Sequence, residues 1–424
     1  MSNIVLSSQQ DLHHAWRWLD QSLATGRKDW QSYSFSRAGI AAQQHHLASQ
    51  PALQAALTRL TEEEVEDIDA NPAKLAQFFA PYLPCIEQAP TLLAVLLVPD
   101  EAAVDSPPVM PLPFWLTNGI QGRKLEQIRH FIAALPTPAR SSLEWCAGKG
   151  HLGRLLAFHN AQQNVVTSVV SAELQAELCT AGMALAKRHD VNQRFVQQDV
   201  LADDAHRLLQ GVQQGLALHA CGGLHQRLIT LAAQQGTAEL HIAPCCYHLH
   251  NAACYQPMSA MVRAESLMQL TRADLKLAVQ GQVTGGQRVG RLRRQEVTWR
   301  LAWQLWHEQS NQTTEYQPLP ALPKQLLSAD FSAFCVWAEQ LKPTPRLSDS
   351  PTAQVEMLEQ AEQLYLEIKR ADLLRHAYRR MLELWLVLDR ALYLTEQGYE
   401  AHISSFCHYQ LTPRNILISA HLKT

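Results

Sequence analysis

The chain has 424 residues, 47% of them hydrophobic and 18% charged, with a formal charge of −3 when the histidines are neutral. Such a composition belongs to an ordinary globular protein; it excludes a disordered or uniformly basic nucleic-acid-binding chain, though not a local basic patch. The opening residues, MSNIVLSSQQDLHHAW, lack a basic start followed by an apolar run, which predicts no secretory leader. The most apolar run, 92–98, is too short to span a bilayer, so no membrane partner is expected. Nine cysteines at no disulfide-like spacing suit a reducing, cytoplasmic setting.

Residues 1 to about 105 read as helical. Leu12, Ala15, Trp16, Leu19 and Leu23 fall on one helical stripe. Short helices are expected at 38–47, 51–60 and 71–79, the last capped by Asn71 with Pro72 at its first position. Ser106-Pro107-Pro108-Val109-Met110-Pro111-Leu112-Pro113 reads as an extended linker and sets the main boundary. A basic turn ending in Arg123-Lys124 then leads into a helix at 125–135. From residue 142 strands and helices alternate, the pattern of a parallel sheet covered on both faces. Strands are expected at 142–146, 165–170, 193–197, 215–220 and 239–244, with helices at 152–159, 172–188, 201–209 and 223–234. The pattern turns helical again from 295. Residues 353–397 contain neither glycine nor proline and predict one long helix, or two with a bend. Strand-like segments at 399–407 and 416–420 flank a turn at 411–415. The expected organisation is a helical N-terminal region (1–112), an α/β core (113–300), a helical insert (301–397) and closing strands that return to the core (398–424).

The stretch SLEWCAGKGHL, residues 142–152, reads as a buried strand, a glycine turn and a helix start. Gly148 and Gly150 permit close backbone approach, and the helix start offers free N–H groups. Glu144 before the turn suits a cofactor carrying positive charge better than a diphosphate. This suggests a class I S-adenosylmethionine (SAM) methyltransferase fold, a Rossmann-like sheet of seven strands closed by an antiparallel pair. Glu173 after the second strand is placed to accept from two ribose hydroxyls, and Asp199 after the third from an adenine amino group. Each acid has a plainer reading, as the start or cap of a helix. In open α/β sheets, ligands lie outside the carboxyl ends of the strands, where all three acids fall.

The fourth strand ends in His219-Ala220-Cys221-Gly222 and the fifth in Pro244-Cys245-Cys246-Tyr247-His248. These residues flank the place where a methyl group would leave the cofactor. The favoured reading is an acceptor pocket in which His219, Cys246, Tyr247 and His248 do the chemistry, a histidine taking the acceptor's proton. A cysteine-nucleophile mechanism, as in cytosine-5 RNA methyltransferases, wants an Asp and a Pro before the fourth-strand cysteine, and both are missing. Zinc binding by Cys221, Cys245, Cys246, His248, His250 and Cys254, or inert packing, is the third reading. Adjacent cysteines are awkward as two ligands of one tetrahedral ion and no CxxC pair exists, so no metal is expected. Further on, Arg288, Arg291, Arg293 and Arg294 form a local anion site for which RNA phosphate is the natural partner, or else a solvated helix start. Trp299, Trp303 and Trp306 follow at helical spacing and suit core packing better than base stacking.

The turn Glu144 to Leu152, the element Ala217-Leu218-His219-Ala220-Cys221-Gly222, the element Pro244-Cys245-Cys246-Tyr247-His248 and the terminal Thr412-Pro413-Arg414-Asn415-Ile416 together resemble one methyltransferase-domain family. It is the group that includes the glutathione S-transferase C-terminal domain-containing protein and methyltransferase-like relatives. The chain is similar, more distantly, to the tRNA acceptor-stem 2′-O-methyltransferases. The resemblance covers roughly residues 114–278 and the last thirty or so. It implies a SAM site lined by Glu144, Gly148, Gly150, Glu173 and Asp199, with Cys146 where the general pattern has its first glycine. Cys146, Ala147, Lys149 and His219 complete the expected cofactor-binding set. The function expected is SAM-dependent methyl transfer, with tRNA or rRNA as acceptor. The alternatives are a small-molecule or protein acceptor, or a SAM-binding scaffold without catalysis.

Overall fold

A computed structural model describes residues 6, 8–31, 37–98, 112–136, 138–250, 252–281, 287–342 and 344–423. The expected linker lies outside them up to Pro111.

Seven strands form one sheet: β1 (Ser141–Trp145), β2 (Ser168–Glu173), β3 (Gln193–Gln197), β4 (Gln214–Cys221), β5 (Glu239–Cys245), β6 (Tyr399–Ser405) and β7 (Ile416–Leu422). Their order is β3-β2-β1-β4-β5-β7-β6. The first five are parallel, and β7 runs antiparallel to both β5 and β6. This is the class I methyltransferase order, with the closing pair returning from the end of the chain as expected. The central strands are buried on both faces: Ser142, Leu143, Glu144 and Trp145 are all interior. The strand order reverses between β1 and β4, and in open α/β sheets the carboxyl ends at such a reversal are where ligands bind.

Among the described residues, the longer helices that accompany the sheet are α1 (Gln9–Thr25), α2 (Gly122–Ala133), α3 (His151–Gln162), α4 (Ala176–Arg188), α5 (Gly223–Gln235) and α6 (Arg379–Glu396). Leu152, Leu155 and Leu156 of α3 pack with Ile128 and Phe131 of α2 and with Leu216 and Ala243 of the sheet. The apolar stripe of α1 is buried throughout, and Trp16 packs against Trp385 of α6 with ring centroids 6.0 Å apart.

Two compact units partition the chain. One is Met1–Thr25, Cys85–Val283 and Arg379–Thr424; the other is Gly26–Pro84 and Thr284–Tyr378. These limits differ from the boundaries drawn at 112, 300 and 397, because α6 packs on β6 and β7 and α1 packs on α6. The stretch 353–397 is two helices, Pro351–Ala377 and α6, parted at Tyr378. The second unit is helical. Its core gathers Trp299, Trp303, Phe331, Phe334 and Tyr365, so these tryptophans are packing residues. Asn71 caps its helix by accepting from the Ala73 and Lys74 N–H groups, with Pro72 following as expected.

Three elements begin later than periodicity suggests: β2, α4 (at Ala176 instead of 172) and the segment after β3. Strand β2 spans 168–173 instead of 165–170, because Val165 is spent on ending α3. Asn164 takes a left-handed φ of 61°, and the Val165 N–H reaches back to the Asn160 carbonyl at 2.9 Å. A 3-10 turn, Asp203–Leu209, replaces the helix expected from 201, since Asp199 Oδ1 accepts from the Leu201 N–H and turns the chain there.

Candidate active site

The glycine turn uses its two glycines for different reasons. Gly150 has a φ of 63°, and a Cβ there would collide with Gln193 and Phe195 of β3. Gly148 has a φ of 58°, but no heavy atom lies within 4 Å of where its Cβ would stand. One glycine lets the helix approach the sheet; the other leaves open space above the turn. Ala147 is tied to the end of β2 through its N–H to the Ala172 carbonyl, 2.9 Å, while Lys149 is exposed.

Glu173 is the last residue of β2, and α4 begins only at Ala176, so it is a strand-end acid and not a helix start. Its Oε2 accepts from the Gly148 N–H at 2.8 Å and its Oε1 from the Gln175 N–H at 3.0 Å. A carboxylate offers about four lone-pair directions, so two remain. Asp199 is exposed just beyond β3. Cys146 faces both acids: burial pushes its thiol pKa up to about 12, and the charges of Glu173 and Asp199, with Cys221, add to the shift.

Glu144 sits under the turn. Its Oε2 accepts from Ser171 Oγ at 2.7 Å, and the carboxylate also takes the N–H groups of Gly153 and Leu152 at the start of α3. A Cβ on Gly153 would stand 2.7 Å from that oxygen. Glu144 thus holds the helix start and does not line the open space, contrary to the sequence expectation. Burial raises its pKa to about 7, against the lowering effect of these hydrogen bonds. Between about pH 4.5 and 7 the unfolded chain loses this proton before the folded one, so stability falls as pH rises through that window. The contribution is on the order of 3 kcal/mol at most. Glu144→Gln is expected to melt higher than the parent at pH 8, with the gap closing at pH 5. An equal difference at both pH values would show that the group does not titrate there.

His219 ends β4 at a register shift between Leu218 and Cys221, with a φ of 70°. Its side chain is exposed to water at one edge while protein crowds the rest. Nε2 lies 2.7 Å from Gln127 Oε1, on α2. An amide oxygen can only accept, so Nε2 carries the proton and Nδ1 keeps a lone pair. Burial first, then Lys124 and Arg414, depresses the ring's pKa and keeps it neutral. Lys124 also lowers the pKa of Glu144 and of His151, so the basic turn does flank this site.

Beyond β5, Cys246 has a φ of 47°. Contacts from Cys221 and then Cys245 hold its pKa well below the usual thiol value, and His248 and Arg414 add positive field. Cys245 is pushed up, because its thiol lies against the sulfurs of Cys221 and Cys246 and is buried. His248 is half-buried beside them. Tyr247 is a correction to the expected catalytic set. It is 1% exposed, its ring covered by the Arg390 guanidinium at 5.1 Å and by His225, so it belongs to the core. Gln127 gave no sequence signal, since a glutamine on the helix before β1 reaches β4 only through the fold. Arg414 stood in a motif tied to the family and not to a role.

The strand order, the glycine turn and the strand-end acids are those of a class I methyltransferase fold. Residues 123–253 match the family model described as Methyltransferase domain. No curated protein matches the chain. Among solved structures, the chain is similar to a Listeria monocytogenes protein described as a candidate class I S-adenosylmethionine-dependent methyltransferase. The two are 10% identical, with a TM-score of 0.23 over 55% of this chain and 73% of that one. That likeness is too distant to add to the strand order.

Proposed function

We propose that this chain transfers a methyl group from SAM to a structured RNA. The supporting observation is the convergence of the open glycine turn, Glu173 and Asp199 at the carboxyl ends of β1, β2 and β3, with His219 on β4 beside them. The residues fit the cofactor. Gly148 faces open space, Glu173 keeps lone pairs for two ribose hydroxyls, and Asp199 is exposed for an adenine amino group. When bound, SAM supplies an electrophilic methyl group. The protein's own part is to align the acceptor and to take its proton. Neutral His219 does the latter at Nδ1, with Gln127 as its positioning residue.

The RNA reading rests on Arg288, Arg291 and Arg293, which are exposed on the helix Gln287–Asn311. Arg294 drops out of that set: it pairs with Glu62 at 2.9 Å and lies over the Tyr365 ring. Free thiols at all nine cysteines suit a reducing, cytoplasmic setting. Among the described residues no helix is long and apolar enough to cross a membrane.

Incubation with methyl-labelled SAM and fractionated cellular RNA, protein and metabolites tests the whole reading. Label in RNA is the expected result. Label in protein or metabolites moves the acceptor to those classes, and label in none, with SAM still bound, leaves a scaffold. His219→Ala is expected to lower turnover about 100-fold or more while leaving SAM affinity near the parent's. Equal loss of both would make His219 structural.

A further inference from the structure

The thiols at the ends of β4 and β5 form a cluster with a shape of its own. Cys221 Sγ and Cys245 Sγ are 3.5 Å apart, and all three sulfurs of Cys221, Cys245 and Cys246 lie within 4.8 Å of one another. Adjacent residues in an extended strand point to opposite faces, so Cys245 and Cys246 should diverge. They converge because Cys246 leaves the strand in the left-handed region, with a φ of 47°. On β4 the register shift between Leu218 and Cys221, with the left-handed φ of His219, re-aims Cys221 in the same way. Left-handed backbone at a residue with a side chain costs on the order of 1–3 kcal/mol and persists where the surroundings demand it. Here two such residues flank one spot, and the result is three sulfurs gathered around it.

We infer that Cys221, Cys245 and Cys246 form a three-thiolate site for a thiophilic cation of the zinc class. Zinc–sulfur bonds of about 2.3 Å at tetrahedral angles place ligand sulfurs about 3.8 Å apart, within the range these three already occupy. Soft thiolates select such ions over calcium or magnesium. Cys245 is buried while Cys221 and Cys246 are half-buried, so the fourth position opens toward solvent. The Nδ1 of His248, two residues past Cys246, is buried and has no hydrogen-bond partner among the described residues. It is the nearest protein group in sequence that a bound ion could recruit. The awkwardness of adjacent cysteine ligands, sound for regular strand geometry, is removed by the backbone turn between them.

The inference does not depend on methyl transfer. Reduced, chelator-stripped full-length protein is titrated with cobalt and with zinc against a chromophoric competitor. The expected result is one equivalent of either metal, with the thiolate-to-cobalt charge-transfer band and the intense visible bands of a tetrahedral site. Cys221→Ser and Cys246→Ser, both at half-buried positions, should weaken binding by more than the about 100-fold that loss of a supporting partner costs. Cys254→Ser should bind as the parent does. Circular dichroism establishes that each variant is folded. The inference is overturned if the folded parent shows no thiolate band, or if the band survives in the Cys221→Ser, Cys246→Ser double variant. It is also overturned if the protein takes up no metal while Cys221 and Cys245 are recovered as a disulfide.

Discussion

Glu173→Ala is expected to weaken SAM binding by about 100-fold or more in calorimetry. A hydrogen bond to a charged acceptor contributes about 1.5–3 kcal/mol, and the proposed ribose contact uses two. The side chain has a second duty. Its Oε2 holds the Gly148 N–H at 2.8 Å, so the carboxylate fixes the turn over which the cofactor would lie. Glu173→Gln separates the two duties. Its amide oxygen can still accept from Gly148, but its NH2 group cannot accept from a hydroxyl. It should fall between alanine and the parent, with a smaller loss of thermal stability than alanine causes. Unchanged affinity in Glu173→Ala would remove the ribose assignment and, with it, the strongest link between this cleft and a nucleoside-containing cofactor.

Much of this site was legible because its signals are local. A buried strand, a glycine turn and an acid at the next strand end each leave a short pattern, and the parallel sheet follows from their alternation. What escaped depends on backbone direction or on distant partners. Glu144 stands next to the turn in sequence, yet its carboxylate points beneath it, and nothing in a linear pattern tells under from over. Tyr247 sits between Cys246 and His248, but past the end of β5, after the left-handed turn at Cys246, the chain buries it in the core. Gln127 meets His219 across 92 residues of sequence. The left-handed backbone at Cys146 and Cys246 has no signature, since cysteine is not among the residues that favour it, and the histidine at 219 is only a weak one. The helix α6 looked like the tail of an insert because helical periodicity does not say which core a face will join.

That helix carries the largest stability effect to be expected. Asp389 is fully buried, and its carboxylate accepts from the Tyr255 hydroxyl at 2.5 Å, the Met258 N–H at 2.9 Å and the Ser259 N–H at 3.0 Å. Next to it, Arg390 donates from Nε to His225 Nε2 at 2.8 Å and from a terminal nitrogen to the Tyr255 hydroxyl at 3.0 Å. One pair of residues on α6 therefore fastens the segment after β5 and the start of α5, the two pieces of chain that carry or follow the cysteine cluster. Asp389→Ala strands three donors in the interior and removes the buried negative charge beside Arg390, a loss of about 3–5 kcal/mol. For a unit of this size that corresponds to a melting temperature lower by roughly 10 °C, measured by calorimetry. Asp389→Asn keeps one acceptor but turns an NH2 group toward the remaining donors, so it should recover only part of the loss. Because Asp389 anchors the backbone at Met258 and Ser259, and not the glycine turn, SAM affinity measured below the melting transition should change far less than stability does. A variant that melts with the parent would mean that water satisfies these donors, and that the segment after β5 is held by something other than α6.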